Sequence, residues 1–262
     1  MLVTLDDPHD PRLAAFRLHE RGLTSRADKR DDGGAGLFLA EGDLVVARAL
    51  EAGCVPHLGL ADGARIPDVA RRLAEQVEVY VGGAELRRHV TRLGAPQPVI
   101  ALFHRPPRPA AADLAARTRR LVVVEGVDNP ANVGAIVRNA SGLGWDGLVL
   151  DRTSADPLHR RSLRVAMGTA FALPHARSPD LPGLLGGLTG HDLFALTPDP
   201  TARDIRDVAP SDRPRAVLIG SERAGLSVDL LAAAVPVRIA MSAGVDSLNA
   251  AAATAIACFA LR

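Results

Sequence analysis

Lysine is all but missing from these 262 residues: Lys29 is the only one among 31 basic side chains. Arginine suits bidentate recognition of phosphates and carboxylates, but an Ala- and Arg-rich composition accounts for most of these residues without a role, so only position can single one out. Cysteine is scarce as well. Cys54 and Cys258 stand far apart in no metal-ligand spacing, which excludes a disulfide framework and a zinc site, so no metal is expected. Aromatic residues make up only 3% of the chain, which argues against RNA recognition on base-stacking platforms. No uncharged apolar run reaches the ~20 residues of a bilayer-spanning helix, and the longest, around Ala250 to Leu261, reads as a buried helix. The opening MLVTLDDPHDP carries acids and prolines where a signal peptide has a basic and then an apolar region. A cytoplasmic protein with no membrane partner is expected.

What is present is an alternation of strands and helices, with 47% hydrophobic residues to build a core. PRLAAFRLHERGL reads as a helix, followed by the charged, Gly-rich loop RADKRDDGGAG. Residues 1–107 then hold short apolar runs (LFLAEG, VPHLGL, VEVYVG, PVIALF) between the helical patterns DLVVARALEAG and IPDVARRLAEQ, as in a small α/β domain. The stretch from His104 to Arg120 is Pro-rich and then basic, and its part 108–120 reads as a linker. From 121 to 262 the strands LVVVE, GLVLD, FALPHA, DLFALT, AVLIG and VPVRIA alternate with helices, which predicts a mostly parallel sheet with helices on both faces. Ligands of such sheets collect beyond the carboxyl ends of the strands.

Three loops there carry unusual residues. After LVVVE, Asn129 and Pro130 signal a helix start; on the helix that follows, Asn132 and Asn139 share one face, and Gly134 and Arg138 another. An isolated helical arginine ordinarily points to solvent, whereas a glycine one turn before it leaves room for a substrate beside the guanidinium. Both readings stand on these residues alone. After AVLIG, the stretch LIGSERAGLS sets Gly220 and Gly225 around Glu222, with Ser227 as the cap of the next helix. After VPVRIA, Ser247 reads as the cap of a long Ala-rich helix, and Asn249, disfavoured in a first turn, needs a reason to be there. A fourth segment, HRRSLRVAMGTAFALP, gathers Arg160, Arg161 and Arg164 into a basic patch suited to RNA phosphates.

Taken in order, NVGAIVRNA from Asn132, LIGSERAGLS from Leu218 and IAMSAGVDSLNAAAATA from Ile239 resemble the three signature motifs of the SpoU-type (TrmH-like) RNA methyltransferases of the SPOUT superfamily. Ala240 departs from the pattern, which usually has proline there. The resemblance covers residues from about 121 to 262 and implies a C-terminal trefoil knot, a homodimer with the site near the subunit interface, and S-adenosylmethionine held by the knot loops. It assigns Leu196, Thr197, Gly220, Ile239, Met241 and Leu248 to the cofactor, and Arg138, Asn132, Glu222, Ser247 and Asn249 to catalysis. The N-terminal part more loosely resembles the small substrate-binding domain of the rRNA-directed branch.

The implied reaction is methyl transfer to a ribose 2′-hydroxyl of RNA, with ribosomal RNA preferred over tRNA because of the additional N-terminal domain. The resemblance gives the proton-removing role to Arg138, yet a guanidinium stays protonated far above neutral pH. A cationic Arg138 that clamps the neighbouring phosphate is therefore the favoured account. Base methylation, a tRNA 2′-O-methyltransferase and a non-catalytic RNA-binding or ribosome-assembly factor are the alternatives.

Overall fold

The computed structural model describes residues 1–23, 36–92 and 94–262; the charged loop expected from Arg26 to Gly36 lies, apart from Gly36, outside the described residues. Two compact units emerge, Met1–Pro107 with Leu158–Phe171, and Arg108–Pro157 with Ala172–Arg262.

In the first unit five strands, β1 (Leu2–Thr4), β2 (Leu37–Glu41), β3 (Pro56–Asp62), β4 (Val79–Gly82) and β5 (Val99–His104), lie in the order β1-β4-β3-β5-β2. The first three of that order are parallel, and β5 runs antiparallel to both its neighbours. The expected first helix breaks in two: a 3-10 helix over Pro11–Arg17 stops at Leu18, whose ψ of 138° is extended, before α1 (Glu20–Leu23). Beyond them come α2 (Asp43–Glu51), α3 (Asp68–Ala74) and α4 (Ala84–Thr91). The sequence patterns missed β1 and α4, one too short and the other too charged to register.

The second unit contains α5 (Ala111–Arg117), β6 (Arg120–Val124), α6 (Pro130–Gly142), β7 (Gly147–Leu150), β8 (His175–Arg177), α8 (Leu181–Gly186) and β9 (Asp192–Leu196). It continues with β10 (Arg203–Asp204), β11 (Arg215–Ile219), α9 (Val228–Ala232), β12 (Val235–Arg238) and α10 (Ala250–Ala260). All seven strands are parallel, in the order β10-β12-β9-β11-β6-β7-β8. β11 slots between β6 and β9, and β12 lies outside β9, so the chain twice leaves sequential order at the half of the sheet that bears the later loops. The segment 108–120 is not a plain linker. Its prolines stop at Pro109, and the Ala-rich turn beyond them forms α5, whose Leu114 and Ala115 pack in one core with Leu121, Val123 and Val149.

Between β7 and β8 the chain contributes α7 (Arg160–Ala166) to the first unit. In the basic patch expected here, Arg160 and Arg164 have acidic partners, while Arg161 is exposed. Arg160 and Arg164 both lie 3.9 Å from the carboxylate of buried Glu41, and the Arg160 N–H donates to Glu20 at 3.0 Å. Burial pushes the Glu41 carboxyl above its usual range, and the two arginines only partly oppose it. Beyond α7 a 3-10 turn occupies Thr169–Phe171, so the strand expected in FALPHA is confined to β8.

Candidate active site

The loops leaving the carboxyl ends of β9, β11 and β12 enclose a cavity of about 410 Å³, within the range of roughly 300–1,000 Å³ of small-molecule sites. Leu196, Thr197, Gly220, Ile239, Met241 and Leu248 all line it, as do Glu222 and Ser247. Its walls are mostly aliphatic. Among the described residues Arg223 is the only cation lining it, against the two anions Glu222 and Asp246. Arg223 and Asp246 went unnoticed in the sequence, though each sits inside a motif that was singled out.

The β11 loop is shaped by its glycines. A Cβ on Gly220 would fall well inside 3.0 Å of the Gly225 backbone, closer than any real contact, and Gly225 itself has φ +68°. The loop is closed by the Gly225 N–H donating to the Ser221 carbonyl at 2.9 Å, and the Ala224 N–H donates to Ser221 Oγ at 3.2 Å. These bonds turn Glu222 and Arg223 out along the pocket rim, where both are exposed. Ser227 stands at the N-cap of α9, but its hydroxyl makes no capping bond, contrary to expectation.

On α6, Asn129 caps the helix as expected, accepting from the Ala131 N–H at 3.0 Å. The face bearing Asn132 and Asn139 turns toward α10: the Asn139 amide donates to the Ala251 carbonyl at 2.8 Å, and one helix end later the Trp145 indole donates to the Cys258 carbonyl at 2.9 Å. The C-terminal helix starts later than expected. Asn249, not Ser247, is its N-cap and accepts from the N–H groups of Ala251 and Ala252 at 3.0 and 3.3 Å. That is why an asparagine stands there: its carbonyl satisfies two backbone donors that α10 cannot satisfy itself.

Asn249 also completes a chain of side chains whose polarity is fixed at both ends. A carboxylate only accepts hydrogen bonds, so the Asn132 amide nitrogen must face Glu222, to which it donates. The Asn132 carbonyl is then left to accept from the Asn249 amide at 3.1 Å, and the Asn249 carbonyl is left for the helix N–H groups. The relay thus joins three segments 117 and 90 residues apart in sequence. Ser247 is exposed on the pocket wall, two residues before the relay. Arg138 is also exposed and lines no part of the pocket; buried Gly134 stands one turn before it on α6.

Behind β6 the site is buttressed. Asp151, at the end of β7, accepts from the Gly126 N–H at 3.1 Å and from Ser154 Oγ and N. Burial alone would raise its pKa, but the hydrogen bonds from Ser154, Thr153 and Gly126 outweigh burial and hold the carboxyl below its usual range.

Comparison with known proteins fits this geometry. An uncharacterized tRNA/rRNA methyltransferase of Mycobacterium tuberculosis is 39% identical over 259 residues, covering 96% of this chain and 88% of its own. The 23S rRNA (guanosine(2553)-2′-O)-methyltransferase RlmP of Bacillus subtilis is 29% identical over 231 residues, covering 86% of this chain and 88% of its own. Among solved structures, an AdoMet-bound rRNA methyltransferase from Sinorhizobium meliloti superposes with a TM-score of 0.83 at 26% identity, over 99% of this chain and 97% of that one. Residues 119–259, which hold the pocket, the relay and Arg138, match the SpoU rRNA Methylase family, and the chain belongs to that family.

Proposed function

We propose that this protein methylates a ribose 2′-hydroxyl of ribosomal RNA, using S-adenosylmethionine bound in the pocket beyond β9, β11 and β12. The observation that carries the reading is the Asn249–Asn132–Glu222 relay, whose acidic end lines that pocket. Relatives named as 2′-O-methyltransferases of 23S rRNA support the chemistry and the RNA class. The pocket suits the cofactor: aliphatic walls for its adenine and methionine chain, and Arg223, Asp246 and Glu222 in its lining for its carboxylate and cationic groups. When bound, it supplies an activated methyl on a sulfonium.

The chain's own residues then hold and orient. Leu196, Thr197, Gly220, Ile239, Met241 and Leu248 hold the cofactor, largely through backbone groups and apolar contact. The relay sets Glu222, and with it Ser247 and Asn249, to hydrogen-bond the ribose. In-line transfer depends on such positioning for much of its rate. Arg138 stays cationic and clamps the phosphate beside the target ribose, and the hydroxyl proton passes to that phosphate or to water. The first unit, Met1–Pro107 with Leu158–Phe171, binds RNA.

The working form is a cytoplasmic homodimer. Ile256 and Phe259 of α10 are 40% and 57% exposed, apolar surface that a second copy would cover. The C-terminal part is knotted; β11 lying between β6 and β9, and the return of α10 to α6, support it. Among the described residues no helix is long and apolar enough to cross a membrane.

Labelled S-adenosylmethionine incubated with the protein and unmethylated 23S rRNA tests the reaction, followed by mapping of 2′-O-methyl positions. Label confined to tRNA would move the substrate class, and no label in any RNA would favour a binding factor. Arg138→Lys keeps the charge without the planar fork, so it loses most turnover while binding cofactor normally. Near-normal turnover of that variant would sink the clamp.

A further inference from the structure

We infer that Glu125 is a positioning residue for the cofactor pocket, pinning both ends of the loop that forms one of its walls. Resting on the cofactor reading above, this assigns a role to a residue that makes no contact with the cavity.

The geometry is specific. β6 and β11 pair in parallel with Val124 opposite Ile219, so Glu125 is the first residue beyond the ladder, where the β11 loop departs. Its backbone N–H donates to the Ile219 carbonyl at 2.9 Å, just before the loop. Its side-chain Oε2 accepts from the Ser227 N–H at 2.7 Å, just after it. Every residue between, from Gly220 to Leu226, lines the pocket. One residue therefore fixes the span between the loop's two ends, while the Ser221–Gly225 bond fixes its interior.

Glu125 is itself held from behind. Gly126 takes φ +69°, and a Cβ there would lie 3.6 Å from the Ser221 Cβ, so the chain passes directly under the loop. The Gly126 N–H is bound by Asp151 at 3.1 Å and the Val127 N–H by Ser154 Oγ at 3.1 Å. The pocket wall is thus referenced to β6 and β7 rather than left to its own glycines. A glycine-containing loop has much conformational freedom to lose, and without the far anchor that loss would fall on cofactor binding instead of folding.

A glutamine can still accept the Ser227 N–H, whereas alanine cannot. Affinity for S-adenosylhomocysteine, measured by calorimetry, should fall about tenfold in Glu125→Ala and stay within about twofold of wild type in Glu125→Gln. The KM for S-adenosylmethionine should rise in parallel while the KM for RNA stays unchanged, a split that general destabilisation would not produce. Ser227→Pro deletes the same bond from the other side, since Ser227 already has φ −62° and its hydroxyl caps nothing. It serves as the second probe should Glu125→Ala not fold, and combining it with Glu125→Ala should add no further loss. Wild-type affinity in Glu125→Ala or in Ser227→Pro, or a Gln variant as weak as the Ala variant, would overturn the inference. Failure of the wild-type protein to bind S-adenosylhomocysteine would instead overturn the cofactor reading.

Discussion

Replacing Asn132 by aspartate changes one nitrogen to oxygen and reverses the logic of the relay. The native amide donates to Glu222 and accepts from Asn249; an aspartate in its place could still accept from Asn249 but would set a second carboxylate against Glu222. Two unit charges about 3 Å apart repel by roughly 1.4 kcal/mol at the dielectric of water and roughly 5.5 kcal/mol at an effective value of 20. Asn132 is half-buried and Glu222 exposed, which favours the screened end, about 2 kcal/mol. If the relay sets the transition-state geometry, that energy appears as a loss of about 30-fold in kcat at pH 7.5. Like charges set side by side favour protonation of one of them, so the deficit relative to wild type should shrink as the pH falls. Adding Glu222→Gln supplies a donor that the new aspartate can accept, restoring the bond with its polarity reversed. Single-turnover methylation of 23S rRNA from pH 5.5 to 8.5 reads wild type, the single variant and the double variant. Asn132→Asp keeping more than half of wild-type turnover at pH 7.5 would refute the reasoning; a dead double variant would show that the Glu222 carboxylate is needed for itself.

Other outcomes follow from separate parts of the molecule. Gly220→Ala should abolish cofactor binding with the first unit still folded, because the new methyl would overlap the Gly225 backbone; equilibrium dialysis with labelled cofactor checks it. The His175 ring has its Nε2 sealed off without a partner, and burial first, then Arg108, pushes its pKa down to about 4, with Asp156 opposing. The unfolded chain therefore binds the extra proton between its ordinary pKa of about 6.5 and that lower value, so stability is full above pH 7 and falls by about 2 kcal/mol between pH 7 and 5. In His175→Asn, whose amide can still donate to the Leu173 carbonyl as Nδ1 does at 3.2 Å, urea unfolding should lose that pH slope; an unchanged slope would assign it elsewhere. Phe259→Glu should convert a dimer into monomers in sedimentation, and a monomeric wild type would remove the dimer from the proposal.

Much of this was legible in the sequence, for identifiable reasons. The strands of the second unit are unbroken apolar runs, as strands buried on both faces must be, and the Asn129–Pro130 start of α6 follows from local backbone chemistry. The six proposed cofactor residues converge because they sit at, or in the loops beyond, strand ends that a parallel sheet brings to one edge. What escaped depends on tertiary context. Nothing local marks where α10 begins, since Ser247 and Asn249 are both good caps, and only Asn132 across the gap makes Asn249 the useful one. Arg160 and Arg164 read as part of a free patch because Glu41, more than a hundred residues earlier, carries no local sign of burial. Glu125 looked like the end of a strand; its partner Ser227 is 102 residues away.

The relay also has a direction in time. Its members emerge during synthesis in the order Asn132, Glu222, Asn249, and the last arrives only with the start of α10. A nascent polypeptide still short of residue 249 can have the sheet, much of the pocket wall and Arg138, yet it cannot close the Asn132 carbonyl.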